Sequence, residues 1–297
     1  MKNLNLLFNK LYYEKLGTAE FDRSVQGYNR EILTAVFRRE QDYQKSEAAS
    51  ACFALKTSYP GLLVGTGNLH GSHMSDDDIN MGFSFDYTTG QPFIPGSSVK
   101  GVLRSYFRQY PEVVAELSGV EDVKALEEEI FENNDIFFDA VVCKGARGGK
   151  LMGEDFITYH ESEIKNPVPV RMLKILPGVC FEFRFCLTDG KILKEKKQEL
   201  FCELLKLFGI GAKTNTGYGF LEDVSEEELN RPEKIAEEAP QRPQNRPNGG
   251  NRPHQSGGKP SSDRIKCPHC GASNYRFYPD GNERKKCYSC KEFLKSR

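Results

Sequence analysis

The 297-residue chain balances 41 Lys and Arg against 42 Asp and Glu, a formal net charge of −1. That balance excludes a partner chosen by bulk charge, so any polyanion must be held by local clusters. No apolar run approaches the roughly 18 residues of a membrane-spanning helix, and the N-terminal MKNLNLLFNKLYYEKLG lacks the apolar core and small-residue cleavage site of a secretory signal.

Residues 1–50 are rich in charge and aromatics, and Glu31–Arg39 (EILTAVFRR) has helical spacing with Ile32, Val36 and Phe37 inward. ACFALKTSYPGLLV (51–64) reads as a strand broken at Pro60-Gly61. A polar loop follows, GTGNLHGSHMSDDDIN (65–80). Its His70, His73, Asp76, Asp77 and Asp78 are residue types that move protons or hold a divalent metal, which supports an alternative reading as a metal-dependent ribonuclease. Three adjacent carboxylates cannot all face one ion, so plain solvation is the simpler account.

Thr89-Gly90 makes a turn, and PFIP (92–95) is extended because proline restricts its predecessor. Gly96-Ser97-Ser98 then opens a helix with Ser97 or Ser98 as the expected N-cap. Val99, Leu103, Tyr106 and Phe107 form one buried stripe, and Lys100, Arg104 and Arg108 lie on another face. A helix start with free amides, two hydroxyls and a cation one turn in is the layout of an anion site. An ordinary capped amphipathic helix is the plainer reading. Residues 112–134 read as an acidic, solvent-facing helical insertion, 135–143 (DIFFDAVVC) as a buried strand, and 144–166 as a long connection with Lys144, Arg147 and Lys150 among glycines.

Pro167–Leu176, Pro177-Gly178 and Val179–Leu187 read as a β-hairpin. Its second strand points Val179, Phe181, Phe183, Phe185 and Leu187 inward, with Cys180, Glu182, Arg184 and Cys186 outward. Lys191–Phe208 is helical, with Leu200, Phe201, Leu204, Leu207 and Phe208 as its core stripe. GIGAKTNTGYG (209–219) follows. Its four glycines free the backbone for positive φ and close approach. Between them lie one cation, Lys213, and the short polar Thr214, Asn215 and Thr216. Exposed amides beside a cation grip phosphates, and a plain glycine-rich turn is the competing reading. The stretch is no nucleotide P-loop, because it lacks the GK[ST] ending and follows a helix rather than opening one. A short strand at Phe220–Glu222 completes an order of strand–helix–strand, then hairpin–helix–strand, which fits an α+β ferredoxin-like domain.

From Ser225 the composition turns polar and rich in Pro, Gly, Arg, Asn and Gln, so 225–262 reads as a disordered linker. CPHC (267–270) and CYSC (287–290) then give two CxxC knuckles, sixteen residues apart, the spacing of a zinc ribbon. Cys267, Cys270, Cys287 and Cys290 would close a structural Zn²⁺ shell whose binding energy is largely the module's folding energy. A redox dithiol pair is the alternative. Nine cysteines, an odd number with four at metal spacing, fit a reducing cytosol better than a disulfide frame, so the chain is expected to be cytoplasmic. The segment 263–297 is basic, and its Tyr275, Phe277 and Tyr278 either stack on bases or form the ribbon's own small core. The expected division is 1–224, 225–262 and 263–297.

FIPGSSVKGVLRS (93–105) and GIGAKTNTGYGF (209–220) together resemble the RAMP superfamily of CRISPR proteins. The first is similar to its IPGSS-hydrophobic-KG helix start. The second is similar to its signature loop of Gly-hydrophobic-Gly, five residues, Gly-hydrophobic-Gly. The wording AKTNTGYG, with NPVPVRMLKILPGVCFEFRF (166–185), most resembles the sixth-subunit branch of the type III-B Cmr complex. The resemblance leaves linker and ribbon outside. It implies a modified ferredoxin-like (RRM-like) fold with insertions. It also implies a non-catalytic backbone subunit of an RNA-guided antiviral complex, with guide RNA, target RNA and other RAMP subunits as partners. Carried over by position, Gly96, Ser97, Ser98, Lys100 and Arg104, and Gly211, Lys213, Thr214, Asn215 and Gly217, would hold guide-RNA phosphates. The two segments are expected to meet in one cationic cradle. Related backbone subunits cleave with a loop aspartate, which keeps the 70–78 loop in view, although no catalytic residue is assigned.

Overall fold

The computed structural model describes residues 3–37, 49–72, 74–132, 135–159 and 168–231, together with 285–286 and 293–294. The chain divides into two compact units, Met1–Ala239 and Pro240–Arg297. The first holds α1 (Leu4–Asn9), α2 (Phe21–Leu33), β1 (Ala51–Thr57), β2 (Phe93–Ile94), α3 (Gly96–Gln109), α4 (Pro111–Ser118), α5 (Val123–Glu132), β3 (Ile136–Phe137), β4 (Ala140–Lys144), β5 (Met152–Tyr159), β6 (Val168–Ile175), β7 (Cys180–Cys186), α6 (Lys194–Phe208), β8 (Leu221–Asp223) and α7 (Glu226–Asn230). In the second, β9 (Lys285–Lys286) pairs antiparallel with β10 (Phe293–Leu294). The predicted linker beyond residue 231 and the four predicted zinc ligands lie outside the described residues.

The main sheet is antiparallel, ordered β2–β4–β7–β1–β8, with β3 also paired to β7. The period-two pattern of β7 buries Phe181, Phe183 and Phe185 completely on one face. There they join Leu103 of α3 and Leu200, Phe201 and Leu204 of α6 in a single core. Each such side chain contributes about 1.5–3 kcal/mol by leaving water. Phe185 and Phe201 pack with ring centroids 5.4 Å apart.

Several expectations change. β6 does not form a hairpin with β7. It pairs with β5, from Met152↔Ile175 to Tyr159↔Val168, in a separate two-stranded sheet. Both edges of β7 are taken by non-local partners, β1 and β4. The Pro177-Gly178 turn therefore carries the chain between sheets, with Gly178 N–H donating to Thr57 O at 2.7 Å. The supposed long connection of 144–166 contains β5. The acidic stretch after α3 is two helices, broken where Gly119 takes φ 73°. Its Val114, Leu126, Ile130 and Phe131 are buried, and Phe131 packs edge-on against Phe107 at 5.1 Å, so it belongs to the core. The helix expected at Glu31–Arg39 is instead the end of α2, after which Val36 bridges to Lys150. Leu205 replaces Leu207 in the buried stripe of α6. Cys180 and Arg184, expected outward, are buried.

A buried ion pair locks the start of α6. Lys197 Nζ lies 2.8 Å from Asp135 Oδ2, with the two side chains 1% and 0% exposed. The other oxygen of Asp135 accepts from Thr188 N–H and Oγ1–H at 2.8 and 2.9 Å. The pair ties α6 to the entry of β3 and to the β7–α6 connection. Removing one member leaves a charge buried without its partner. Lys197→Met is expected to lower the unfolding free energy of the full chain by roughly 3–5 kcal/mol in a urea titration followed by circular dichroism. A loss below about 1 kcal/mol, the scale of an exposed pair, would contradict this.

Candidate nucleic-acid interface

The glycine loop is made by backbone contact. Gly209 ends α6 with φ 78°, and its carbonyl accepts from the Tyr106 hydroxyl of α3 at 2.6 Å. Ile210 N–H donates to Gly219 O at 2.9 Å and closes the neck. A Cβ on Gly219 would stand 1.9 Å from Ile210 O, and one on Gly211 2.4 Å from Leu63 O. Ala212 N–H donates to Leu63 O at 2.9 Å, and Gly219 N–H to Gly61 O at 2.8 Å, so the loop is stitched to the segment after β1. Tyr218 turns under the loop and donates to Asp155 Oδ2 of β5 at 2.7 Å. That oxygen also takes Lys174 Nζ of β6 at 2.7 Å. Burial pushes the Asp155 carboxyl up, but the hydrogen bonds from Lys174 and Tyr218 outweigh it and hold the group below the usual carboxylate range.

At the tip, Lys213 adopts the left-handed conformation (φ 59°, ψ 35°), the one non-glycine residue at positive φ among those described. A single 3-10 turn follows over Thr214–Thr216, with Thr216 donating back to Lys213 O through N–H and Oγ1–H. The amides of Lys213, Thr214 and Asn215 donate to no protein acceptor among the described residues, and the Lys213 ammonium has no carboxylate partner among them. Gly211, Lys213 and Asn215 are exposed; Thr214 and Gly217 are half-buried.

The start of α3 departs from expectation. The N-cap is Pro95, whose carbonyl accepts from Ser98 and Val99 N–H at 2.8 and 3.0 Å. Ser97 and Ser98 are exposed in the first turn and cap nothing. Gly96 N–H donates to Asp139 Oδ1 at 2.6 Å, so a carboxylate of the fold already holds one position a phosphate would take. Gly96 itself is buried against Phe137 O. Lys100 Nζ lies 5.8 Å from the Phe137 ring centroid. Arg104 pairs with Glu127 at 2.8 Å and with Glu132, and Arg108 also reaches Glu127 at 2.7 Å. The Arg104 charge is therefore met within the fold, where it clamps α3 to α5. Burial pushes Glu127 up, but hydrogen bonds from both guanidiniums more than offset it, and its carboxyl sits below the usual range.

The single cradle is overturned. Ile94 pairs with Ala140, and Ala51 with Phe185, so α3 begins at the end of the sheet where β1 enters and β7 leaves. The glycine loop feeds Leu221, which pairs with Thr57, at the end where β1 leaves. From Ser97 to Tyr106, α3 spans about 14 Å at 1.5 Å per residue before the Tyr106 hydroxyl reaches Gly209. The helix start and the loop are two sites at opposite ends of one sheet. Local motifs place each segment next to its own strand but do not say at which end that strand terminates.

The histidine–aspartate loop is largely internal. His70 is 5% exposed and stacks on Phe8 at 3.5 Å, with Nδ1 2.7 Å from Ile79 O and Nε2 2.9 Å from Phe8 O. Burial holds its pKa below the usual value. Asp78 accepts from Ser72 N–H and Oγ–H at 2.9 and 2.7 Å. Asp77 is held by Arg171 and Gln26. These groups fasten α1 and α2 to the loop, and among the described residues no cluster of three such side chains fits a metal ion. His73 lies outside the described residues.

A cavity of about 830 Å³ lies against the main sheet, lined by β1, β4 and β7 residues and by Glu226, Leu229 and Asn230 of α7. Asp86, Asp139, Glu182, Asp223 and Glu226 line it, against one cation, Arg184. Lys56 holds α7 through Glu228 at 3.1 Å, and Lys144 Nζ donates to Glu228 O and Arg231 O. Glu182 is paired with Arg184, and Asp223 with Lys206 at 3.0 Å. Sequence reasoning missed Asp139 and Asp155, which fix the two candidate segments. The one legible signal was Asp139 interrupting an apolar strand.

The profile of the RAMP superfamily matches residues 54–222. CRISPR system CMR subunit Cmr6 of Saccharolobus solfataricus is 30% identical over 154 residues, which cover 48% of this chain and 49% of that protein. The chain thus spans about half the length of that curated relative. A type III-B Cmr-beta complex bound to cognate target RNA contains a chain 25% identical, with TM-score 0.44, covering 59% of this chain and 58% of that one. Cmr6 from Pyrococcus furiosus gives 20% identity and TM-score 0.38, over 59% of this chain and 97% of that one. Both structural likenesses are loose, so the assignment rests on the profile. With that profile covering more than half of its residues, the chain belongs to the RAMP superfamily.

Proposed function

We propose that this chain is a non-catalytic, guide-RNA-binding backbone subunit of a type III-B CRISPR effector complex in antiviral defence. The observation that carries the reading is the glycine loop. Its neck is fixed by backbone hydrogen bonds, and its tip offers one cation and three consecutive amides that meet no protein partner among the described residues. Such a tip can hold a phosphodiester chain without reading sequence. Membership of the RAMP superfamily and likeness to a Cmr6 subunit supply the biological setting. Guide RNA, target RNA and neighbouring RAMP subunits are the partners, in the cytoplasm. Among the described residues no helix is long and apolar enough to cross a membrane.

On this reading the loop residues Gly211, Lys213, Thr214, Asn215 and Gly217 make the principal contact. Ser97, Ser98 and Lys100 make a second, independent contact at the other end of the sheet. Gly96 anchors the α3 start through Asp139, and Arg104 clamps α3 to α5 through Glu127 and Glu132. The strands β4–β7–β1–β8, joined by α3 and α6 on one face, are read as the ferredoxin-like core. The 70–78 loop serves as a fastening, since His70, Asp77 and Asp78 are engaged by the surrounding chain.

The C-terminal unit is proposed as a zinc ribbon held by Cys267, Cys270, Cys287 and Cys290. Four thiols in two CxxC pairs suit a closed tetrahedral Zn²⁺. Pairing of Lys286 with Phe293 brings together the chain on either side of the second pair.

In single-stranded RNA binding by the full chain, Lys213→Ala and Lys100→Ala are each expected to reduce the slope of log K against log salt by about 0.7. The double variant should lose about 1.4, because the sites are separate. A slope equal to that of the unaltered chain in the double variant would contradict both contacts. Metal analysis of the purified chain is expected to find about one zinc per chain, lost in Cys287→Ser with Cys290→Ser. Zinc-free protein, or unchanged zinc in that variant, would rule out the ribbon.

A further inference from the structure

Next to the glycine loop stands an aromatic ring that the fold does not use. Tyr59 is 85% exposed, and its ring packs on no other ring among the described residues. Lone exposed aromatics are common and need no explanation. This one differs in how firmly its backbone is held. On one side Ser58 N–H donates to Phe220 O at 2.9 Å, and Ser58 Oγ–H to Glu222 Oε1 at 2.6 Å. On the other, Gly61 O accepts from Gly219 N–H at 2.8 Å, and Leu62 exchanges both backbone bonds with Ile175 at 3.1 and 2.9 Å. A Cβ at Gly61 would lie 2.1 Å from Ile175 O, so the turn passes close against the end of β6. Pro60 Cδ is 3.7 Å from where a Gly217 Cβ would stand, which sets the turn against the loop's shoulder.

We propose that Tyr59 is a base-stacking residue for single-stranded RNA, receiving an unpaired base of the strand whose phosphates the glycine loop holds. This rests on the reading of that loop as an RNA contact. A strand fixed through its phosphates leaves its bases free to find a flat apolar face, and a π-face accepts any base. Tyrosine offers that face with only two side-chain torsions to fix. The rigid turn presents the ring before the ligand arrives, so little ordering cost falls on binding. The site therefore selects for unpaired nucleotides without selecting their identity.

The test uses the full chain and a single-stranded oligoribonucleotide carrying 2-aminopurine at one position at a time. In the unaltered chain and in Tyr59→Phe, fluorescence should be quenched at a particular position on binding. Tyr59→Ala should lose that quenching and bind roughly fivefold to a hundredfold more weakly, with its salt slope unchanged. Lys213→Ala should lower the slope while keeping the quenching. If Tyr59→Ala binds and quenches like the unaltered chain while Lys213→Ala still lowers the slope, the stacking role is wrong and the loop reading stands. If neither substitution changes binding, the loop reading fails and stacking fails with it.

Discussion

The backbone contact between Ile210 and Gly219 is the constraint on which the candidate interface depends. Ile210 N–H meets Gly219 O at 2.9 Å, and the return strand passes so close that even a methyl group on Gly219 would collide with the Ile210 carbonyl. That closure turns the ten residues 210–219 into a small ring anchored on α6 and β8. Inside it Lys213 is held left-handed, a conformation that costs a non-glycine residue on the order of 1 kcal/mol or more. A surrounding frame stiff enough to impose that conformation also fixes where the following amides point.

The ring is braced from three directions. Tyr106 of α3 donates to Gly209, the segment 61–63 stitches its two sides, and Asp155 of β5 receives Tyr218 from beneath. The β5–β6 sheet, which shares no strand with the main sheet, thus acts as a buttress under the loop. The molecule's charges are distributed in keeping with this. Carboxylates line the open sheet face under α7 and meet the guanidiniums along α3, whereas the loop tip carries a cation with no carboxylate partner among the described residues.

Much of the core was readable from the chain. The alternation Val179-Phe181-Phe183-Phe185-Leu187 gave the buried face of β7, and the spacing of Val99, Leu103, Tyr106 and Phe107 gave the buried stripe of α3. The positive φ of the loop glycines also followed from their pattern. What escaped was non-local. Nothing near Pro177-Gly178 says that β6 prefers β5 to the strand just after the turn. Nothing near Ser97 says that Asp139, over forty residues on, takes the Gly96 amide. The acidic run after α3 looked solvated because its glutamates are so dense, yet Leu126, Ile130 and Phe131 still face the core. The end of the sheet at which each motif lands depends on strand order, which local spacing does not encode, and it decided between one cradle and two sites.

The most direct measurement is photo-crosslinking of 4-thiouridine-bearing single-stranded RNA to the full chain, with attachment sites mapped by mass spectrometry. The account predicts attachment on Tyr59–Leu62 and Gly211–Gly217, with a weaker set near Ser97. Attachment concentrated on the strand residues beneath α7, around Cys52, Glu182 and Arg184, with none on the glycine loop, would contradict it.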